Sequence, residues 1–231
     1  MNKHDVVEHD EWIAARKALL EQEKEFTKLR DDLSRQRREL PWERVEKEYE
    51  FEGPDGKESL ADIFDARSQL VVYHFMFGPD DDVGCKSCSF WADNFNPNVV
   101  HLQARDVTLG AVSRARYDKL AAYRKRMGWS FKWLSSAGSD FNFDYGVSFT
   151  PEDESRPVYN YGSLSPNMSE REGMSVFLKD DGGNVFHTYS SHARGIDLLN
   201  AAYNYLDLVP KGRDEDGRGQ YWVRRRDEYA D

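Results

Sequence analysis

Cys85-Lys86-Ser87-Cys88 holds both cysteines of a 231-residue chain. Two thiols spaced by two residues, after an apolar run and at the start of a predicted helix, suit two kinds of chemistry. A vicinal pair can cycle between dithiol and disulfide, or it can supply two soft ligands to a metal. The bland alternative is two small buried residues with no chemical role. In the redox case Cys85, first and more exposed, is the nucleophile, and Cys88, one turn deeper, is the resolving thiol. Lys86 favours ionisation of Cys85, whereas the run Asp80-Asp81-Asp82 places like charge nearby and opposes it. A metal site needs more donors, since zinc takes four. No metal is the primary expectation, and a dithiol mechanism calls for no cofactor.

The elements that position these residues are legible around them. "QLVVYHFMF", dense in β-branched and aromatic residues, reads as a strand buried on both faces. The Cys85 helix follows, then a second strand, "VTLGAVS", and an amphipathic helix with Tyr117, Leu120, Ala121 and Tyr123 on its apolar positions. Upstream, "VEKEYEF" reads as a strand leading into the turn Gly53-Pro54-Asp55-Gly56. Downstream, Lys132–Ser135 is a short strand, and residues 136–173 form a long irregular insert, which in a compact domain is usually functional. "MSVFLKD" and "NVFHTYS" flank Asp181-Gly182-Gly183 as a hairpin, and a last helix runs near Gly195–Leu206. The fold class is therefore α/β, with a mixed sheet flanked by helices.

The first forty residues differ. From Asp10 to Leu40 the chain is charged and free of Gly and Pro, with Trp12, Leu19, Phe26, Leu33 and Leu40 recurring at sevens. That predicts a long amphipathic helix. Packing of its stripe on its own domain is the ordinary outcome. A homodimer through this helix is the other, although Gln22 and Gln36 interrupt the seam. The domain plan is a helical arm over 1–44, a main domain over 45–210, and a charged tail over 211–231. A net charge of −10 argues against a nucleic-acid or anionic-lipid face. No apolar run approaches the ~20 residues needed to cross a bilayer. The start of the chain shows no signal-peptide core, so a cytoplasmic, reducing location is expected, where Cys-x-x-Cys reads as redox or metal chemistry.

The element order resembles a thioredoxin fold, with Cys85 opening the helix after the central strand. "YEFEGPDGKESLADIF", Ser139-Asp140 followed by Tyr145-Gly146-Val147, and "VFLKDDGGNVFHTY" are similar to peroxiredoxin segments. "GCKSCSFWADNF", "RDVTLGAVSRA", "RMGWSFKWLSSAGSDFNFDYGVSFT" and "FHTYSSHARGIDLLNAAYNYLDL" resemble the bacterial thioredoxin-like family termed domain of unknown function 899. The resemblance covers nearly the whole chain. It implies a thiol-disulfide oxidoreductase whose partner is a protein or low-molecular-weight disulfide or thiol. Aligned on the thioredoxin strand, "VVYHFMF" sets His74 near that family's buried carboxylate, which makes it a candidate proton acceptor for Cys88, against a plain core histidine. The resemblance also implies a substrate face near Lys86, Trp91 and Met174, the last standing where thioredoxins carry a cis-proline. Peroxiredoxins carry Thr and Pro where this chain has Asp82 and Gly78. Copper-delivery proteins of this fold add a distant His to their cysteines, which makes Cys85, Cys88 and His187 the alternative metal set. A non-catalytic module of the same fold is the third alternative.

Overall fold

A computed structural model describes residues 4–229. The chain forms two compact units, Met1–Pro41 and Trp42–Asp231. The first is a single helix, α1 (His9–Arg38), with acidic Asp10 and Glu11 in its first turn and three arginines in its last, both matched to the helix dipole. None of its residues is buried. Its apolar residues Trp12, Leu19, Phe26 and Leu33 are exposed.

The second unit is built on one eight-stranded mixed sheet. Its strands are β1 (Glu43–Arg44), β2 (Glu50–Gly53), β3 (Gly56–Ser59), β4 (Gln69–His74), β5 (Val107–Ser113), β6 (Lys132–Ser135), β7 (Gly173–Lys179) and β8 (Val185–His192). They lie side by side in the order β1-β8-β7-β4-β5-β6-β2-β3. β4 pairs parallel with β5 and antiparallel with β7, so it is central and covered on both faces. That is why its sequence is almost continuously apolar. This is a thioredoxin-like fold: the parallel β4–β5 pair, its helical crossover, and the β7–β8 hairpin occupy the expected places.

The helices divide between the two faces. α3 (Lys86–Ala92), α5 (Tyr117–Met127) and α7 (Ala201–Leu206) cover one face, and their Trp91, Leu120 and Tyr203 join Tyr73, Phe75 and Trp133 in one core. The short α2 (Leu60–Ile63) and α6 (Phe141–Asp144) cover the other, where Leu60, Ile63 and Phe141 meet Leu70, Val72 and Phe177. Alternation along β4 decides the division: Val71, Tyr73 and Phe75 face the first core, and Leu70 and Val72 the second. Each fully buried side chain of this size contributes about 1.5–3 kcal/mol.

Three segments depart from the sequence expectation. The single Cys85 helix ends at Ala92, and a second helix, α4 (Asn96–Gln103), starts with Pro97 in its first turn. Proline is favoured there because that N–H has no intrahelical partner. "VEKEYEF" contributes only its end to β2, and the expected last helix opens as a 3-10 turn over Ala193–Leu199 before α7. Within the charged tail, Val223 is fully buried and the Trp222 ring packs edge-on to Phe90.

Candidate functional site

Gly84 sets the position of the first cysteine. A Cβ at residue 84 would stand 2.9 Å from ring carbons of both Phe75 and Tyr123, so only glycine lets the backbone pass this close to the core. Cys85 then takes the N-cap position of α3, and its N–H donates to the Met76 carbonyl at 3.1 Å. Ser89, fully buried one turn on, donates its hydroxyl to the Cys85 carbonyl at 2.8 Å and shares a 2.8 Å hydrogen bond with the Tyr123 hydroxyl. The turn that carries the thiols is therefore held from both sides.

Cys85 and Cys88 lie 4.1 Å apart. Cys85 is half-buried and Cys88 buried. The Met76 N–H donates to the Cys88 sulfur at 3.4 Å. The two thiols differ electrostatically. Cys85 is lowered from 9.0 to about 6, chiefly by the hydrogen bond it accepts from Cys88. The backbone N–H groups of Cys88 and Ser87 add to this, while burial and the Glu172 carboxylate oppose it. Cys88 is pushed well above the ordinary thiol range, first by burial, then by Cys85, against a hydrogen bond with Tyr73 that lowers it. Burial likewise raises the Tyr73 phenol, with Cys88 next to it as the second cause. One thiol is thus ready to ionise near neutrality and the other is held protonated.

The pair opens on a cleft of about 1000 Å³. Its walls include Tyr73 and Met76 of the central strand and its exit, Ser87 and Trp91 of α3, Arg171 and Glu172 of the insert, Ile196 of the 3-10 turn, and Glu215 and Tyr221 beyond α7. Trp91 is buried and donates its indole N–H to the Ile196 carbonyl at 2.9 Å. Tyr159 of the insert positions Glu172: its hydroxyl donates to the Glu172 carbonyl at 2.7 Å and accepts from the Ala193 N–H at 2.8 Å. Glu215 accepts from both the Tyr203 hydroxyl and the Trp222 indole, at 2.9 Å each. Arg225 reaches back to the Gly84 carbonyl at 2.8 Å and to the Tyr123 hydroxyl at 2.9 Å.

Several sequence expectations are corrected by this geometry. His74 follows Tyr73 on β4 and so faces the opposite side of the sheet from the thiols, 5.6 Å from the Phe141 ring. Its Nε2 bonds the Ser175 hydroxyl at 2.8 Å, and burial pushes it down to about 3, with His192 and His187 adding to the effect. It is a neutral core histidine. Tyr73 is the β4 residue beside Cys88. His187 also lies on that other side, between Ser190 at 2.7 Å and Glu43 at 3.4 Å, so the set Cys85, Cys88 and His187 is not brought together. Among the described residues no three His, Cys, Asp or Glu side chains are grouped to hold a metal ion.

Of the expected substrate face, Trp91 lines the cleft; Lys86 and Met174 do not. Met174 is buried in the first core, paired with Tyr73 across the sheet. The carboxylate that opposes Cys85 ionisation is Glu172, while Asp81 caps the Gly78 N–H at 2.7 Å. The aromatics Trp129, Trp133 and Phe141 are core residues. Sequence reasoning missed Tyr73, Glu172, Glu215, Trp222 and Arg225. Only strand alternation around Cys88 offered a signal, and only for Tyr73.

A family profile matches residues 1–229. The chain belongs to the bacterial protein family of unknown function DUF899. No curated protein matches it. Solved structures similar to it include Xanthomonas campestris peroxiredoxin Q, at 14% identity and TM-score 0.46, covering 66% of this chain and 85% of that one. Peroxidoxin BcpB from Mycobacterium tuberculosis is similar at 14% identity and TM-score 0.45, covering 67% and 90%. An uncharacterized thioredoxin-like protein from Porphyromonas gingivalis is similar at 17% and TM-score 0.42, covering 71% and 91%. At these identities the likeness is one of fold alone. No helix among the described residues is long and apolar enough to cross a membrane.

Proposed function

We propose that this member of DUF899 is a cytoplasmic dithiol-disulfide oxidoreductase. The observation that carries the reading is the asymmetry of the pair: Cys85 lowered to about 6 at the cleft, Cys88 raised and buried 4.1 Å away. The Cys85 thiolate attacks one sulfur of a partner disulfide, protein or small molecule, and the partner's other sulfur leaves as a thiolate. Cys88 then gives up its proton and attacks the Cys85 sulfur, the second partner thiolate leaves, and a Cys85–Cys88 bond remains. Two electrons pass from the pair to the partner, and an external thiol restores the dithiol. Glu172, whose charge acts on both thiols, takes the proton-accepting role that the sequence suggested for His74. Tyr73 steadies Cys88 during the second step, and Trp91, Arg171 and Tyr221 contact the partner in the cleft. Peroxide reduction is not proposed, because Asp82 and Gly78 stand where that chemistry uses Thr and Pro.

The test is a glutathione redox titration of the metal-free protein, with thiols trapped by alkylation and read by mass. A single two-electron transition between about −120 and −270 mV is expected, absent in Cys85→Ser and Cys88→Ser. Failure to form an intramolecular disulfide under oxidising conditions overturns the proposal. Retention of every property by the double variant would favour a non-catalytic module.

A further inference from the structure

Helix α1 carries an apolar stripe along one side. Trp12, Leu19, Phe26 and Leu33 recur at sevens and are 53%, 50%, 67% and 45% exposed. A single surface helix has no use for four large apolar side chains in water, whereas a seam at a seven-residue repeat is buried when two helices supercoil. With these residues at the first core position of each heptad, Ala15, Gln22, Leu29 and Gln36 fall at the second. Leu29 is also exposed, at 65%.

The charges beside the seam select the occupant. The residues immediately before the first core positions are Glu11, Ala18, Glu25 and Asp32, and those immediately after the second are Arg16, Glu23, Arg30 and Arg37. In a parallel pair of identical helices, each residue of the former row meets the residue five further on in its partner. Glu11 then faces Arg16, Glu25 faces Arg30, and Asp32 faces Arg37, while Glu23 faces the neutral Ala18. An antiparallel pair would instead set acid against acid and base against base. The pattern is complementary to itself in one orientation only. The two glutamine layers weaken the seam and fix its register.

We infer that α1 is one strand of a parallel two-stranded coiled coil whose other strand is α1 of a second copy of this chain. The 30 residues of α1 span about 45 Å, four heptads of seam. The thiol chemistry proposed above is not required for this assembly, and its failure would leave the assembly standing.

The test is sedimentation equilibrium of the full chain at micromolar concentration. The expected mass is twice the 26.9 kDa of one chain. A single-chain mass, or a mass of three chains, overturns the inference. Phe26→Lys, at a side chain that contributes to no core of its own chain, is expected to weaken dimerisation on the order of a hundredfold. Sedimentation of that variant like the parent places the interface elsewhere and overturns it too. Orientation is read from Arg30→Glu and Glu25→Arg. Each places like charges at two symmetric contacts and should weaken self-association about tenfold, while an equimolar mixture of the two restores it through a heterodimer. Tightening by Arg30→Glu alone would mean that the strands run antiparallel.

Discussion

The hydrogen bond from Cys88 is the largest cause of the low Cys85 value, and Cys88→Ala removes it without touching the nucleophile. Moving Cys85 from 9.0 to about 6 amounts to about 4 kcal/mol in favour of the thiolate. A hydrogen bond to a charged group contributes about 1.5–3 kcal/mol of such a preference. The backbone N–H groups of Ser87 and Cys88 remain in the variant, so Cys85 should titrate between about 7 and 8. The sign follows directly: the thiolate forms as pH rises through this value, so the midpoint of reactivity moves to higher pH.

A rate at one pH would miss the effect. At pH 7 the thiolate fraction falls by up to roughly tenfold, but the more basic thiolate is intrinsically more nucleophilic, by about three- to eightfold. The two changes nearly cancel. The assay is therefore the full pH profile of iodoacetamide alkylation at Cys85, read by mass. The parent should reach half its limiting rate near pH 6. The variant should do so between about pH 7 and 8, with a higher plateau above pH 9. A variant midpoint still near 6 would assign the activation to backbone N–H groups alone. A parent midpoint near 9 would refute the asymmetry on which the functional reading rests.

His74→Phe should leave the alkylation profile and redox potential of the pair unchanged, since His74 faces the other core; a displaced potential would restore it to the mechanism. Tyr73→Phe removes the hydrogen bond that favours the Cys88 thiolate, and should slow closure of the intramolecular disulfide roughly threefold to tenfold. That is measured as a longer-lived mixed disulfide in rapid-quench experiments. Arg225→Ala strips the Gly84 carbonyl and Tyr123 hydroxyl of a partly buried charged partner, and should cost about 1.5–3 kcal/mol in urea unfolding. The same variant should accelerate alkylation of Cys88, because the turn before α3 loses its anchor.

Much of the frame was readable locally. β5 spans Val107–Ser113, the run "VTLGAVS" singled out by composition, and β6 coincides with the expected Lys132–Ser135. The hairpin around Asp181-Gly182-Gly183 closes as its turn residues require, with Gly183 at φ 81°. These features depend on neighbours a few residues apart. The assignment of His74 failed for a different reason. β4 is covered on both faces, so its apolar run carries no alternation to show which side the cysteine helix occupies. Only the placement of α3 on one side of the sheet separates Tyr73 from its neighbour His74.

The cleft itself was beyond local reading. Glu172, Glu215 and Arg225 come from separate stretches of sequence, and each looks like an ordinary surface charge there. The tail from Lys211 onward reads as polar, yet Val223 and Trp222 dock it and bring Arg225 to the Gly84 carbonyl. Spacing along the chain determined the Cys85-x-x-Cys88 pair, its place after a central strand, and the heptad stripe of α1. The tertiary structure decided which side chains surround the thiols and which of them set the two thiols apart. Periodicity is a property of successive residues, whereas burial and charge at a site are sums over segments that only folding brings together.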